Sequence, residues 1–243
     1  MFSLFSLSAV WENTPRKKIN VYMIGDSTVA EYDLSRYPLT GWGMKCSRFF
    51  NNNVIIHNDA LDAASTKSYL KSDKWKAVIN SIQKGDYLLI QFGHNDVKSD
   101  KVRHTDCGGS YNENLKQFVT EAQKKEAIPI LITPVRERKF DENGKLSDTH
   151  GCYPGEVRKV AKELNVTLID LHKLTKPLYE KYGIENSKKL FMWVAPNEYP
   201  FYPDRKEDNT HFSEAGALEV CKLVIEEIKK SDLKLKDYLK KVQ

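Results

Sequence analysis

The stretch INVYMIGDST, residues 19–28, decides the fold. Its first six residues form a nearly continuous apolar run, and Gly25 ends that run immediately before three polar residues. A run of this length is typical of a parallel β-strand that is buried on both faces. Because glycine allows a tight turn, the stretch predicts a strand that exposes Asp26 and Ser27 at its carboxyl end.

Four more runs of this kind follow at intervals of a few dozen residues: NVIIH (53–57), DYLLIQF (86–92), IPILIT (128–133) and VTLID (166–170). Segments with apolar residues at helical spacing lie between or after these runs. They are YNENLKQFVTEAQKKE (111–126), EVRKVAKEL (156–164) and a long helix predicted to begin near Ser213. Alternating strands and helices form parallel sheets through right-handed crossovers. The sequence therefore predicts an α/β fold, a doubly wound sandwich with a five-stranded parallel sheet, and the flavodoxin-like order 2-1-3-4-5 is the one that would bring the loops after its first three strands together.

Polar loops follow the first three predicted strands: GDST (25–28), NDALDAAST (58–66) and GHND (93–96). Ligands of such sheets bind beyond the carboxyl ends of the strands, where the strand order reverses, so we expect these loops to meet. Ser27 is a candidate nucleophile, and Asn95 is a candidate hydrogen-bond donor. Taken alone, each is more simply explained as a helix cap or a turn residue.

A fourth polar stretch, KEDNTHFSEAGA (206–217), places Asp208 three residues before His211. By itself this stretch is typical of a loop that leads into a helix. Acyl transfer, however, needs a nucleophile, a base, a group that orients the base and donors for the developing oxyanion. Ser27, His211 and Asp208 supply the first three, and Asn95 with backbone N–H groups supplies the donors. On this hypothesis His211 takes the Ser27 proton and returns it to the leaving alcohol.

The bulk properties favour one globular domain over residues 19–243, preceded by an extension over residues 1–18. The chain has 243 residues, is 40% hydrophobic and carries a formal charge of +5, with lysines mixed among acidic residues. This pattern predicts no nucleic-acid surface, although it tolerates a polyanionic substrate, and no stretch reaches transmembrane length. We therefore expect neither nucleic-acid nor membrane partners, and the oligomeric state stays open. The opening MFSLFSLSAVWENTP has no basic residue before its apolar part, which favours a cytoplasmic location over a secreted or periplasmic one.

The four cysteines have neither zinc-site spacing nor the density of a disulfide scaffold, so free thiols are predicted. A bridge between Cys107 and Cys152 is the alternative, because both fall in predicted loops. The histidines show no ligand spacing, and we find no phosphate-binding glycine loop or redox pair. The sequence therefore predicts no metal and no cofactor.

The ordered blocks GDST, GHND and DNTH resemble those of the SGNH/GDSL hydrolases, and most closely the rhamnogalacturonan acetylesterase branch of the carbohydrate esterases. Further similar blocks, among them TGWGMKCSRFF, ITPVRERKF and THGCYPGEVRKVAKEL, extend the resemblance from about residue 19 to residue 225. It implies a three-layer α/β/α sandwich with the flavodoxin-like sheet order, and a serine esterase that removes O-acetyl groups from acetylated rhamnogalacturonan or pectic fragments through an acetyl-serine intermediate. Ser27, Asp208 and His211 fall on the catalytic positions of the family. Ser27, Ala63 and Asn95 fall on its oxyanion-hole positions.

Ala63 departs from the resemblance, because the family has glycine there. Alanine keeps the backbone N–H, but a positive φ at this position would strain it by about 1 kcal/mol or more and could misaim the donor. Asp62, Ala64, Phe201 and Arg205 also depart from the related sequences. These changes leave the reaction type intact and the substrate less well defined.

Arg138, His150 and Tyr202 are candidate substrate-binding residues, because aromatic rings stack on sugars and basic groups pair with galacturonate carboxylates. Two other functions stay open. One is an esterase with the same machinery acting on another acyl ester, such as acetylxylan, a general ester or a thioester. The other is a degenerate homologue that binds carbohydrate without hydrolysing it.

Overall fold

A five-stranded parallel sheet forms the centre of the protein in a computed structural model that describes residues 18–241. The strands are β1 (Ile19–Gly25), β2 (Val54–Asn58), β3 (Tyr87–Gln91), β4 (Ile128–Ile132) and β5 (Thr167–Ile169). Their order is β2-β1-β3-β4-β5, with all four pairings parallel. The predicted sheet and its order are confirmed. Residues 1–17 of the predicted N-terminal extension lie outside the described residues.

Helices cover both faces of the sheet, which confirms the three-layer architecture. They are α1 (Thr66–Leu70), α2 (Asp73–Ser81), α3 (Ser110–Lys124), α4 (Tyr153–Glu163), α5 (Leu171–Asn186) and α6 (Glu214–Lys230). Side chains of α1 to α4 belong to one buried apolar cluster, and side chains of α5 and α6 belong to the other. As predicted, α6 begins near Ser213, which precedes its first residue and caps the helix by accepting from the Gly216 N–H. Within residues 18–241, no helix is both long and apolar enough to cross a membrane.

A small antiparallel sheet of β6 (Phe191–Val194) and β7 (Lys206–Phe212) lies beside the main sheet. Sequence patterning missed it and treated residues 206–212 as a loop. The sequence of β7, KEDNTHF, has no apolar alternation, and most of its residues are only partly buried. It is a strand because β6 supplies backbone hydrogen-bond partners, with Phe191 opposite Phe212.

The expectation of four free thiols is wrong for two of the cysteines. Cys107 and Cys152 form a disulfide across 45 residues, with their Cα atoms 6.3 Å apart. It joins the loop before α3 to the residue that precedes α4. Sequence spacing does not encode this pairing, because the two loops meet only through the fold of the intervening strand and helix. Cys46 and Cys221 are free and buried.

Candidate active site

Ser27 lies at the carboxyl end of β1, where the chain turns sharply. A side chain at Gly25 would place its Cβ 2.6 Å from the Gln91 carbonyl oxygen of β3, so glycine is required there. The Asp26 carboxylate accepts hydrogen bonds from the Thr28 N–H at 3.0 Å and the Thr28 hydroxyl at 2.7 Å. These bonds hold the turn, and they leave Ser27 on the wall of a cavity at the end of the sheet.

A hydrogen-bonded relay connects Ser27 to Asp208 through His211. The His211 Nε2 lies 3.0 Å from the Ser27 Oγ, and the His211 Nδ1 lies 2.7 Å from a carboxylate oxygen of Asp208. Burial raises the pKa of Asp208, but hydrogen bonds from the His211 ring and backbone outweigh it and hold that pKa well below its usual range. The carboxylate therefore stays ionised and accepts the Nδ1–H, which leaves the Nε2 lone pair for the Ser27 hydroxyl.

Three N–H donors line the same cavity beside Ser27. The backbone N–H groups of Ser27 and Ala63 donate to no other residue in the described range 18–241. Asn95 donates one amide hydrogen to the Ala64 carbonyl at 3.0 Å, which leaves its second hydrogen available. Arg103 donates to the Asn95 Oδ1 at 3.2 Å and so fixes which end of the amide is the oxygen. These are the donors that an oxyanion hole needs, and Ala63 reaches its position with φ 57°.

Two buried carboxylates hold the three strand-end loops together. Asp26 pairs with the His94 Nδ1 at 3.1 Å, and Asp96 accepts from the backbone N–H and hydroxyl of Thr66. Burial raises the pKa of Asp96 to about 6, against the hydrogen bonds from Thr66 that lower it. For Asp26, burial also raises the pKa, but the His94 charge and hydrogen bond lower it below the usual value. Sequence reasoning missed these supports, and their only signal was their position inside the blocks GDST and GHND.

The catalytic cavity is small and polar, with a volume of about 240 Å³. Ala63 is its only apolar lining residue within the described chain. The other nine are polar or charged: Ser27, Asp62, His94, Asn95, Lys98, Arg103, Glu137, Thr210 and His211. Such a cavity has room for a short acyl group and no apolar channel for a long one.

The three candidate substrate-binding residues do not line this cavity. Arg138 is 6% exposed, and it donates to Ser187 and Asn209 beneath the β6–β7 sheet. His150 is 1% exposed and packs edge-on against His94, with ring centroids 4.5 Å apart. Tyr202 is partly buried, and its hydroxyl donates to a backbone carbonyl at 2.8 Å. The structure therefore brings neither Arg138 nor His150 to the surface where a sugar would bind.

Asp148, His150 and His172 form the one group in the described chain whose ligand atoms lie close enough to suggest a metal, within 4.8 Å of one another. Burial lowers the pKa of His150 to about 2, and nearby positive charges add to this effect. One of these charges is Arg136, whose guanidinium donates to the His172 carbonyl at 3.0 Å. The same positive field opposes a divalent cation, so we assign no metal to this cluster.

One family model and two relatives match most of this chain. A family model described as GDSL-like lipase/acylhydrolase matches residues 21–224. The rhamnogalacturonan acetylesterase RhgT of Bacillus subtilis (strain 168) is 47% identical over 224 residues, which cover 92% of this chain and 95% of the relative. The probable rhamnogalacturonan acetylesterase YesY of the same strain is 32% identical, covering 89% of this chain and 95% of that protein.

Among solved structures, the Bacillus subtilis protein YXIM has a similar fold, with a TM-score of 0.75 at 24% identity. The match covers 89% of this chain and 57% of that one, so this chain spans little more than half of its length. At this identity the similarity shows the fold alone.

Proposed function

The chain belongs to the GDSL-like lipase/acylhydrolase family, and we propose that it is a serine acetylesterase that removes O-acetyl groups from acetylated rhamnogalacturonan or related pectic fragments. The observation that carries the proposal is the relay from Asp208 through His211 to Ser27 at the wall of a small polar cavity. The relatives named as rhamnogalacturonan acetylesterases, which match nearly the whole chain, support the substrate class.

The first half of the reaction acylates the enzyme. The Ser27 Oγ attacks the acetyl carbonyl carbon while the His211 Nε2 accepts the hydroxyl proton, and the carbonyl oxygen becomes an oxyanion. The N–H groups of Ser27, Ala63 and Asn95 stabilise that oxyanion. The tetrahedral intermediate then collapses, His211 donates its proton to the sugar oxygen, and the sugar leaves as an alcohol. Acetyl-Ser27 remains.

The second half releases acetate. A water molecule gives a proton to the His211 Nε2 and attacks the acetyl-serine carbonyl, through the same oxyanion site. Collapse of this intermediate expels the Ser27 oxygen, which takes the proton back from His211. Throughout, Asp208 stays ionised and stabilises the imidazolium, which its depressed pKa allows.

The shape and polarity of the cavity favour an acetylated sugar over a lipid or thioester substrate. Its volume of about 240 Å³ and its single apolar residue offer no binding energy for a long acyl chain. Lys98 and Arg103 give one part of its wall positive charge, while Asp62 and Glu137 give another part negative charge, and the positive part suits a sugar acid next to the acetylated residue. We expect acetyl esters to react faster than butyryl and longer esters.

The test measures acetate release from acetylated rhamnogalacturonan, acetylated xylan and an aryl acetate, with Ser27→Ala run beside the native enzyme. We expect acetate release from every ester that reacts to depend on Ser27. Acetate release should be faster from acetylated rhamnogalacturonan than from acetylated xylan. Circular dichroism of Ser27→Ala verifies that the fold is retained.

The outcomes separate mechanism from substrate. Full activity of Ser27→Ala would refute the proposed mechanism. Ser27-dependent release from acetylated xylan alone would keep the mechanism and replace the substrate. Oligosaccharide binding with no acetate release from any of the three esters would make the chain a binding protein.

A further inference from the structure

A second groove, which we call the lysine groove, lies beside the catalytic cavity. Its volume is about 560 Å³, more than twice the roughly 240 Å³ of the catalytic cavity. The segment of residues 98–104 contributes to both, with Lys98 and Arg103 lining the catalytic cavity and Lys101 and His104 lining the groove. Lys67 and Lys71, from α1 and its C-terminal end, complete the basic lining. One segment of chain is thus a shared wall of both spaces.

Hydrogen bonds hold this shared wall against α1. The Lys67 Nζ donates to the carbonyl oxygen of Lys101 at 2.7 Å and to that of His104 at 3.4 Å. The Arg103 guanidinium pairs with Asp100 at 2.8 Å while it also holds the amide of Asn95. The groove is therefore formed in the free protein and is tied to the oxyanion-hole residue.

The charges of the groove are available to a ligand. Lys71 and Lys101 are exposed, and within the described residues no carboxylate lies within ion-pair distance of either. Elsewhere on the surface the pattern differs, because α6 pairs each of three lysines with a glutamate three residues earlier: Lys222, Lys229 and Lys230. Among the described residues, Asp106 is the one acidic residue that lines the groove, and its side chain is 80% exposed. The groove therefore has a net positive charge next to the catalytic cavity.

We propose that the lysine groove binds carboxylates of the galacturonate residues that flank the acetylated sugar, so that a polyanionic polymer crosses both spaces. This inference rests on the proposed function, and it adds a second binding region for the same substrate. Exposed lysines act on a polyanion through several weak, salt-screened attractions rather than through one tight contact. The groove would thus favour polymers and long oligomers over small acetates.

The test replaces two lysines that are remote from the reacting atoms, in the double variant Lys71→Ala/Lys101→Ala. Lys124→Ala is the matched control, because Lys124 is an exposed lysine without a carboxylate partner in the described chain, about 20 Å away at the other end of α3. At low salt we expect the double variant to lose about five- to tenfold in kcat/KM on acetylated rhamnogalacturonan and to keep its kcat/KM on an aryl acetate. The difference from the native enzyme should shrink at high salt.

A second measurement keeps this proposal distinct from the proposed function. De-esterified polygalacturonate oligomers should inhibit aryl acetate hydrolysis by the native enzyme and by Lys124→Ala, and inhibit the double variant about five- to tenfold more weakly. Neutral xylo-oligosaccharides of equal length should inhibit all three alike. If the native enzyme is inactive on acetylated rhamnogalacturonan but shows this inhibition pattern, the groove stands and the substrate assignment fails. Equal inhibition of the double variant and the native enzyme would overturn the groove.

Discussion

The left-handed backbone at Ala63 predicts that Ala63→Gly stabilises the protein. Ala63 has φ 57°, in the left-handed region that alanine adopts only at a cost in free energy. The related sequences have glycine at this position. The residue is exposed and lies on the wall of the catalytic cavity, so its methyl group contributes little burial. The substitution therefore tests backbone strain with little interference from packing.

The expected gain follows from two opposing effects. A left-handed conformation costs a residue with a Cβ roughly 1–2 kcal/mol, and glycine removes that cost. Glycine also increases the conformational entropy of the unfolded chain, which lowers stability by about 0.4–1 kcal/mol. The net change is a gain of about 0.8 kcal/mol in the free energy of unfolding. For a domain of this size, that gain raises Tm by about 2–3 °C.

Urea unfolding and calorimetry measure the change, and Gly151→Ala is the mirror control. Gly151 has φ 53°, and an added Cβ there would meet no atom within 4 Å. The control therefore introduces the strain that Ala63→Gly removes, and it should lose about 0.8 kcal/mol. If Gly151→Ala is destabilised but Ala63→Gly gains nothing, the strain argument at Ala63 is refuted.

Turnover of Ala63→Gly tests the aim of the Ala63 N–H. Since the alanine already adopts φ 57°, we expect its N–H to be placed as a glycine N–H would be, and kcat to stay within about twofold. Loss of an oxyanion donor typically costs a hundredfold or more. If kcat of Ala63→Gly rose a hundredfold or more, the alanine N–H would point away from the oxyanion, which would contradict its assignment as an oxyanion-hole donor.

Three further predictions concern single groups. Asp208→Asn should lower kcat on an aryl acetate by about ten-thousandfold, because His211 loses the acceptor that fixes its tautomer; a loss below tenfold would contradict the relay. The pKa of Asp96 is about 6 in the native state, against an ordinary value near 4. Because the native state therefore binds the proton more tightly than the unfolded state, the free energy of unfolding should fall as the pH rises from 4 to 6, by on the order of 3 kcal/mol. In urea unfolding, Asp96→Asn should remove that slope, and an unchanged slope would refute the assignment. Cys107→Ser should lower the free energy of unfolding by about 3–4 kcal/mol, given the 45-residue separation from Cys152, and equal stability of variant and native protein under oxidising conditions would count against the disulfide.

The sheet was predictable from the sequence because its strands are buried on both faces. In β3, for example, all five residues are buried, and burial of this kind requires the continuous apolar run that the sequence shows. The strand residues did not determine the order of the strands, because doubly wound sheets occur in more than one order; the flavodoxin-like order was the one that brings the three polar loops together. Ser27, Asn95, Asp208 and His211 were found because they stand in ordered blocks at predicted strand ends and at a helix start.

The features that the sequence did not reveal depend on pairing and packing with other segments of the chain. Strand β7 has too little apolar pattern to be recognised, and it exists because β6 pairs with it. The sequence suggested Arg138 as a substrate-binding residue because basic groups pair with galacturonate carboxylates. Instead it is buried against Trp193, 5.1 Å from the ring centroid, and supports the small sheet. Such roles follow from long-range packing, which local composition does not encode.

Hydrogen bonds of the segment that follows Ser27 help to set the distance between nucleophile and base. Ser27 and His211 lie 184 residues apart in sequence, one after a strand of the main sheet and the other on β7. The Thr40 N–H donates to the Phe212 carbonyl at 3.0 Å, directly beside His211, and the Tyr32 hydroxyl donates to the Ser27 carbonyl at 2.7 Å. The segment that follows Ser27 is therefore bonded both to the Ser27 backbone and to the strand that carries His211. These bonds hold the backbone on both sides of the 3.0 Å contact between Ser27 and His211 without using the reacting atoms, and preorganisation of this kind lowers the cost of reaching the transition state.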